Sequence, residues 1–250
     1  MDLENKYGTL PIQRELLSLM KEIHAFFLQN HIQYSVGYGT LLGAVRHKGF
    51  IPWDDDLDII VDRPNYQKIH DCIIDNSNLY LERDASSPWV NRIKSRDSQY
   101  SGPYAPTCDI FLIDGIPESK FRANLKMYTI FTLQGMMKQK PTLSKGGFAM
   151  KLCSLFTFLA GRLFSQNRKY KWYQSVSQWF TREGQQKRCY NACFGDVHCI
   201  FPADVLDKVH LASFEDTEVC VIDQYDSFLK ARYGDYMSPP PSIEQSPKHF

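Results

Sequence analysis

Residues 37–61 constrain this chain more than any other stretch. A glycine-bounded turn, Gly37-Tyr38-Gly39-Thr40, leads through a short apolar run to the bases Arg46-His47-Lys48. Asp54-Asp55-Asp56-Leu57-Asp58 then passes directly into Ile59-Ile60-Val61. Asp56 to Val61 reads as a strand, whose side chains alternate between two faces, so Asp56 and Asp58 share one face while Leu57, Ile59 and Val61 turn to a core. Like charges held that close repel, and raise each other's pKa, unless a cation lies between them. Carboxylate oxygens suit Mg²⁺ or Mn²⁺ rather than zinc, so a divalent ion is the simplest account of the cluster. A solvated acidic turn is the competing account. A calcium loop is excluded, because counting from Asp54 its sixth and twelfth positions are Ile59 and Asn65, where such a loop needs Gly and Glu.

Tyr34-Ser35-Val36 reads as a short strand ending at Gly37, and Gly39-Thr40 opens a helix through Leu41, Leu42, Ala44 and Val45. Glycine lets backbone N–H groups approach a ligand, and a helix start offers unpaired amides and the positive dipole end, so the turn suits an anion. Arg46, His47 and Lys48 have two readings: cations favoured at a helix C-terminus, or contacts to a diphosphate. Arg46 is the foremost of the three, because its planar fork matches phosphate oxygens.

The 21 residues from Tyr38 to Asp58 resemble the signature of the LicD family, phosphocholine and related phosphodiester transferases that are also similar to fukutin and fukutin-related protein. The resemblance implies a nucleotidyltransferase-like α/β (α+β) fold, a mixed β-sheet core flanked by helices with a largely helical basic appendage. It also implies Gly39 and Thr40 at the substrate turn, Asp56 and Asp58 on the metal, and a third carboxylate on a neighbouring strand. Cys108-Asp109-Ile110-Phe111-Leu112-Ile113-Asp114 is strongly apolar with an acid near each end. An ionised acid beside Ile110 and Phe111 is costly unless paired or on a metal, so Asp109 completes a three-carboxylate site; Asp114, before Gly115-Ile116-Pro117, reads as a turn or cap. Tyr233-Gly234-Asp235-Tyr236-Met237-Ser238-Pro239-Pro240 is similar to the same family's C-terminal signature.

Apolar spacing predicts helices over 12–30, 64–76 and 224–232, strands over 79–82 and 90–94, and a hairpin around 214–222. On the strand holding them, Arg92 and Lys94 share a face, either towards a phosphate or along a solvent-facing edge. From Lys138 to Arg188 there are eleven Lys or Arg against one acid, in a chain whose net charge is only +1. That asymmetry implies an anionic partner. Phe148 to Phe164 is apolar over 17 residues but interrupted by Lys151 and Arg162, short of the roughly 20 needed for a clean span. It reads as a buried helix or as one lying on an anionic membrane surface. Cys189, Cys193, His198 and Cys199 lack the paired Cys-x-x-Cys spacing that makes a zinc reading strong. Met1 to Lys6 shows no secretory apolar core, and seven cysteines without framework spacing fit a reducing cytoplasm. Near-zero net charge and the absence of a base-reading motif disfavour nucleic acid.

The expected organisation is a catalytic core over 1–120, a basic helical region over 121–200 for acceptor or inner-membrane-surface contact, and a segment over 201–250 packing back on the core. The expected function, implied by the resemblance, is Mg²⁺-dependent transfer of a phospho-alcohol group from a CDP-alcohol donor to a hydroxyl of a cell-surface glycan or glycolipid precursor, such as lipopolysaccharide, teichoic acid or capsule. CDP-choline is the favoured donor, and Asp109 also takes the acceptor's proton. A nucleotidyltransferase and a noncatalytic glycan-assembly or membrane-surface binding protein are the alternatives.

Overall fold

The computed structural model describes residues 6–83, 87–100, 105–144, 146–180, 188–191, 197 and 199–247. The chain divides into two compact units, one of residues 1–82, 92–113 and 204–250, the other of residues 83–91 and 114–203.

The first unit begins with helix α1 (Leu10–Gln29), which starts two residues before the apolar stripe because Pro11 sits in its first turn. Ile12, Leu16, Leu19, Met20, Ile23 and Phe27 form its buried face. A mixed sheet follows. Strand β1 (Ser35–Val36), helix α2 (Tyr38–Arg46), strand β2 (Leu57–Asp62) and helix α3 (Arg63–Ile73) succeed one another, then strands β3 (Leu79–Arg83), β4 (Asn91–Ser95) and β5 (Cys108–Gly115). The strand order is β1-β2-β5-β4-β3. β1 runs antiparallel to β2, and β2 runs parallel to β5 with Asp58 opposite Asp109. Leu57 to Val61 are buried without a break, as expected of a central strand covered on both faces. Asp62 caps α3 by accepting from the Asn65 N–H at 2.9 Å, which starts that helix at Arg63.

Strands β8 (Val209–Phe214) and β9 (Thr217–Ile222) form the expected hairpin, and helix α7 (Tyr225–Tyr233) follows. The Ile222 N–H donates to the buried Ser35 hydroxyl at 3.0 Å. At the hairpin turn, Glu215 donates its N–H to the Lys48 carbonyl at 2.7 Å and accepts from the Phe50 N–H at 2.9 Å. The C-terminal elements thus pin the loop that follows α2.

The second unit holds helices α4 (Lys120–Met137), α5 (Phe148–Gly161) and α6 (Gln166–Ser177), with the antiparallel strands β6 (Arg188–Asn191) and β7 (Ile200–Pro202). Ile130, Leu133, Met137, Tyr173 and Val176 make its core. Lys169 is buried and donates to the carbonyls of Met136 at 2.9 Å and Gly161 at 3.0 Å, so one ammonium satisfies the ends of two helices. α4 and α6 have no clean apolar stripe and are not signalled by spacing. Two expectations are corrected here. Asp114 lies inside β5 and is buried rather than capping a turn. The buried reading of α5 fails, since Gly161 is its only buried residue. No single helix among the described residues is long and apolar enough to cross a membrane; α5 and α6 reach that composition together but are bent by 118° between them.

Leu16 is fully buried on α1. Leu16→Ala lowers the unfolding free energy by about 2–5 kcal/mol, the cost of lost transfer plus a cavity, as read by denaturant titration.

Candidate active site

The site is built inside the first unit from the turn before α2, the acidic loop before β2, and the facing strands β2, β5 and β4. Gly37 is extended and gives its N–H to the Asp58 carbonyl at 2.8 Å. Tyr38 then takes a left-handed backbone with φ +45°, a costly conformation for a bulky residue. It is held there with its ring buried against Phe111 and Phe228, at centroid distances of 4.4 and 5.4 Å. That kink delivers Gly39. A Cβ at Gly39 would stand 2.6 Å from Asp54 Oδ2, so only glycine admits the Asp54 carboxylate this close to the helix start. The Gly39 N–H also hydrogen-bonds the Asp58 carboxyl. Thr40 sits one residue further on, where its hydroxyl accepts from the Asp58 N–H at 2.9 Å. Gly39 and Thr40 are therefore brought directly against the acids.

Strand pairing brings Asp58 and Asp109 together, while Asp56 lies just before β2, which begins at Leu57 rather than at Asp56. Asp58 and Asp109 are direct register partners on parallel strands, which places their Cα atoms on the order of 5 Å apart. Asp58 is buried, and its carboxyl is pushed well above the usual carboxylate range. Burial is the first cause, followed by the charges of Asp56, Asp109 and Asp54, with the Gly39 N–H pulling the other way. Burial first, then the charges of Asp109, Asp58 and Asp56, push the Cys108 thiol up.

Arg92 reaches across from β4. Its Nε lies 2.7 Å from Asp109 Oδ1 and its Nη2 3.4 Å from Oδ2, an ion pair in which both partners are largely shielded from water. Arg92 thus joins the acid cluster, whereas Lys94, on the same face, pairs with Glu82 at 2.5 Å. Arg46 donates to the Tyr236 carbonyl at 2.6 Å and to His47 Nδ1 at 3.4 Å. Burial lowers the pKa of Arg46; burial and then the Arg46 charge lower that of His47. Lys48 is exposed, with its backbone in the left-handed region and tied to Glu215. The C-terminal segment thus holds Arg46 by its guanidinium and Lys48 by its backbone.

Two positioning residues escape the motif reading. Gln13 on α1 donates to the carbonyls of Ile51 at 3.0 Å and Asp54 at 2.9 Å, and the Thr9 hydroxyl donates to Pro52 O at 2.6 Å. Together they anchor the acidic loop to the helix. The available signal was a glutamine standing on the apolar face of α1 between Ile12 and Leu16. Of the cysteine and histidine set, Cys199 is buried. Cys193, His198 and the Cys189 side chain lie outside the described residues. Five cysteines among the described residues are free thiols.

The raised pKa of Asp58 has a definite sign. The folded chain holds this proton more tightly than the unfolded chain, so the group's contribution favours folding at low pH and is lost as pH rises from about 3.8 through the folded value. Asp58→Asn therefore raises the thermal midpoint of the metal-free chain at about pH 7 and changes it little near pH 3.5, measured as Tm across that range.

Comparison with known proteins agrees with this geometry. Residues 31–116, which contain the turn, the acidic loop and both acid-bearing strands, match the LicD/FKTN/FKRP nucleotidyltransferase domain. The chain is 27% identical to the lipopolysaccharide cholinephosphotransferase LicD of Haemophilus influenzae, over 94% of this chain and 93% of that protein. It is 51% identical over 57 residues to an uncharacterized protein of Rickettsia typhi and 59% identical over 44 residues to one of Rickettsia prowazekii, covering 18% and 16% of those proteins. The chain thus carries, over residues 31–116, a nucleotidyltransferase domain of the LicD/FKTN/FKRP family.

Proposed function

We propose that the chain is a phosphotransferase that moves a phospho-alcohol group, phosphocholine foremost, from a CDP-activated donor to a hydroxyl of a glycan or glycolipid. The observation that carries the reading is the pairing of Asp58 with Asp109 across two parallel strands, with Asp56 and Asp54 close enough for their charges to act on Asp58. The choice of phosphocholine and of a lipopolysaccharide-type acceptor is supported by the cholinephosphotransferase whose sequence aligns with 94% of this chain.

Asp56, Asp58 and Asp109 would hold Mg²⁺ or Mn²⁺. Their chemistry fits such an ion, since hard oxygens converge on a buried acid that burial and neighbouring charges make costly to ionise alone. As the side chains stand, no three His, Cys, Asp or Glu among the described residues enclose an ion, and Asp109 is engaged by Arg92. When bound, the ion neutralises the diphosphate and the departing phosphate. The acceptor hydroxyl oxygen bonds to the choline-bearing phosphorus, the bond from that phosphorus to the CMP oxygen breaks, and Asp109 takes the hydroxyl proton. Arg46 retains guanidinium donors beyond those given to Tyr236 and His47, and it orients the diphosphate with His47 and Lys48 beside it. Arg92 holds Asp109 in place and adds positive charge beside the transferred phosphate, with Lys94 behind it on the same face.

A second reading, nucleotidyl transfer, keeps its place because the matching domain is described as a nucleotidyltransferase; it uses the same acids but leaves the nucleotide on the acceptor.

The proposal predicts that CDP-choline raises the thermal midpoint of the native chain only when Mg²⁺ is present, by the equivalent of about 2.7 kcal/mol at a hundredfold excess over Kd, and that Asp56→Asn removes the shift while remaining folded. Equal shifts without Mg²⁺, or in Asp56→Asn, contradict the metal role. Stabilisation by CTP and not by CDP-choline favours nucleotidyl transfer.

A further inference from the structure

Helix α5 is packed the wrong way round for a helix in water. Phe148, Leu152, Phe156 and Leu159 recur every three or four residues and so form one stripe, which Leu163 extends just past the helix end. That stripe faces outward, with Phe148 84%, Phe156 71% and Leu163 79% exposed. Ser154, Thr157 and Phe158 are half-buried and Gly161 is buried. A Cβ at Gly161 would lie 2.1 Å from the Met136 carbonyl oxygen, and one at Gly135 would lie 2.5 Å from the Thr157 hydroxyl. α4 and α5 thus approach through glycines, as helices do when their larger apolar side chains are needed on the other side. α4 adds exposed Phe121 and Tyr128 to the same unit. An uncovered apolar stripe of this length marks a surface made for a partner.

Charge selects the partner. Residues 119–181 contain eleven Lys or Arg and no Asp or Glu, and of these bases Lys126 and Lys169 are buried on carbonyls while Lys120, Arg122, Lys140, Arg162, Arg168 and Lys171 are exposed. A second copy of this chain would bring the same positive segment against itself, which is repulsive. A bilayer surface carrying anionic headgroups meets both demands, since acyl chains take the stripe and headgroups take the exposed bases. At 14 residues the helix is only about 21 Å long, against a hydrocarbon core of about 30 Å, so it lies in the plane of the surface and does not cross it.

We propose that α5 is an interfacial helix through which the second unit binds an anionic membrane surface. This binding is separate from the phosphotransfer reading and stands or falls without it.

Vesicle co-sedimentation of the full chain tests it, with phosphatidylcholine vesicles alone and with about a third phosphatidylglycerol. Anionic vesicles bind the chain about tenfold or more tighter than neutral ones, raised salt weakens the binding, and Phe156→Ser with Leu159→Ser reduces it about tenfold. Because both side chains are exposed, the double variant keeps or raises the thermal midpoint. Leu163→Ser, beyond the last turn of α5, weakens binding in the same direction without touching the helix. Undiminished binding in these variants, or no binding to anionic vesicles, overturns the proposal. So does a native dimer in sedimentation that the double variant converts to monomer, which would make the occupant a second copy.

Discussion

The constraint on which the first unit depends is the placing of a buried carboxyl, Asp58, among three other acids. Such a cluster is unfavourable in isolation, and the surrounding structure is arranged to hold it. The Gly39 N–H and the Thr40 hydroxyl bond the carboxyl and the N–H of Asp58 respectively, and parallel pairing fixes Asp109 opposite. Gln13 holds the Asp54 loop from α1. Arg92 brings positive charge into contact with the cluster at Asp109. A buried acid whose pKa is shifted by burial and by several neighbouring charges is a common mark of a functional site.

Stability and function pull against each other here in a recognisable way. Tyr38 is bulky and left-handed, Gly39 has no room for a side chain, and Asp58 is costly to ionise. Each is unfavourable locally and is compensated elsewhere, by aromatic packing against Phe111 and Phe228, by the hairpin clamp on Lys48 and Phe50, and by a continuous apolar strand in the core. The Arg46 contact with the Tyr236 carbonyl joins the two stretches that the sequence marks most strongly, residues 37–61 and 233–240. Tyr236 is secured in turn by its hydroxyl, which donates to Asp226 at 2.8 Å; burial and then that bond push its pKa up to about 12.

What was legible in the sequence follows from physical range. Strand alternation is a property of a single strand and reaches Asp58 but not Asp56, which lies just before β2; Asp109 could be singled out because a charge beside Ile110 and Phe111 needs a reason. Arg92 was seen as a base on a strand, but its partner lies on the next strand and no local pattern names it. The same holds for Gln13, whose two acceptors are some forty residues away. Periodicity located α5 but could not say which side faces water, because an apolar stripe has the same spacing whether it covers a core or a bilayer. α4 and α6 went unread for the opposite reason. α4 spreads its apolar residues around the helix, and both rest partly on lysines that act by capping carbonyls, Lys126 on Gly115 and Lys169 on Met136 and Gly161.

The most direct test of the account is to follow the phosphorus. CDP-choline labelled separately in the cytidine and in the choline is incubated with the native chain, Mg²⁺ and a lipopolysaccharide lacking phosphocholine, and the acceptor and the released nucleotide are separated and counted. The account predicts choline label on the acceptor in step with free CMP. Cytidine label on the acceptor, or no label of either kind, would contradict it.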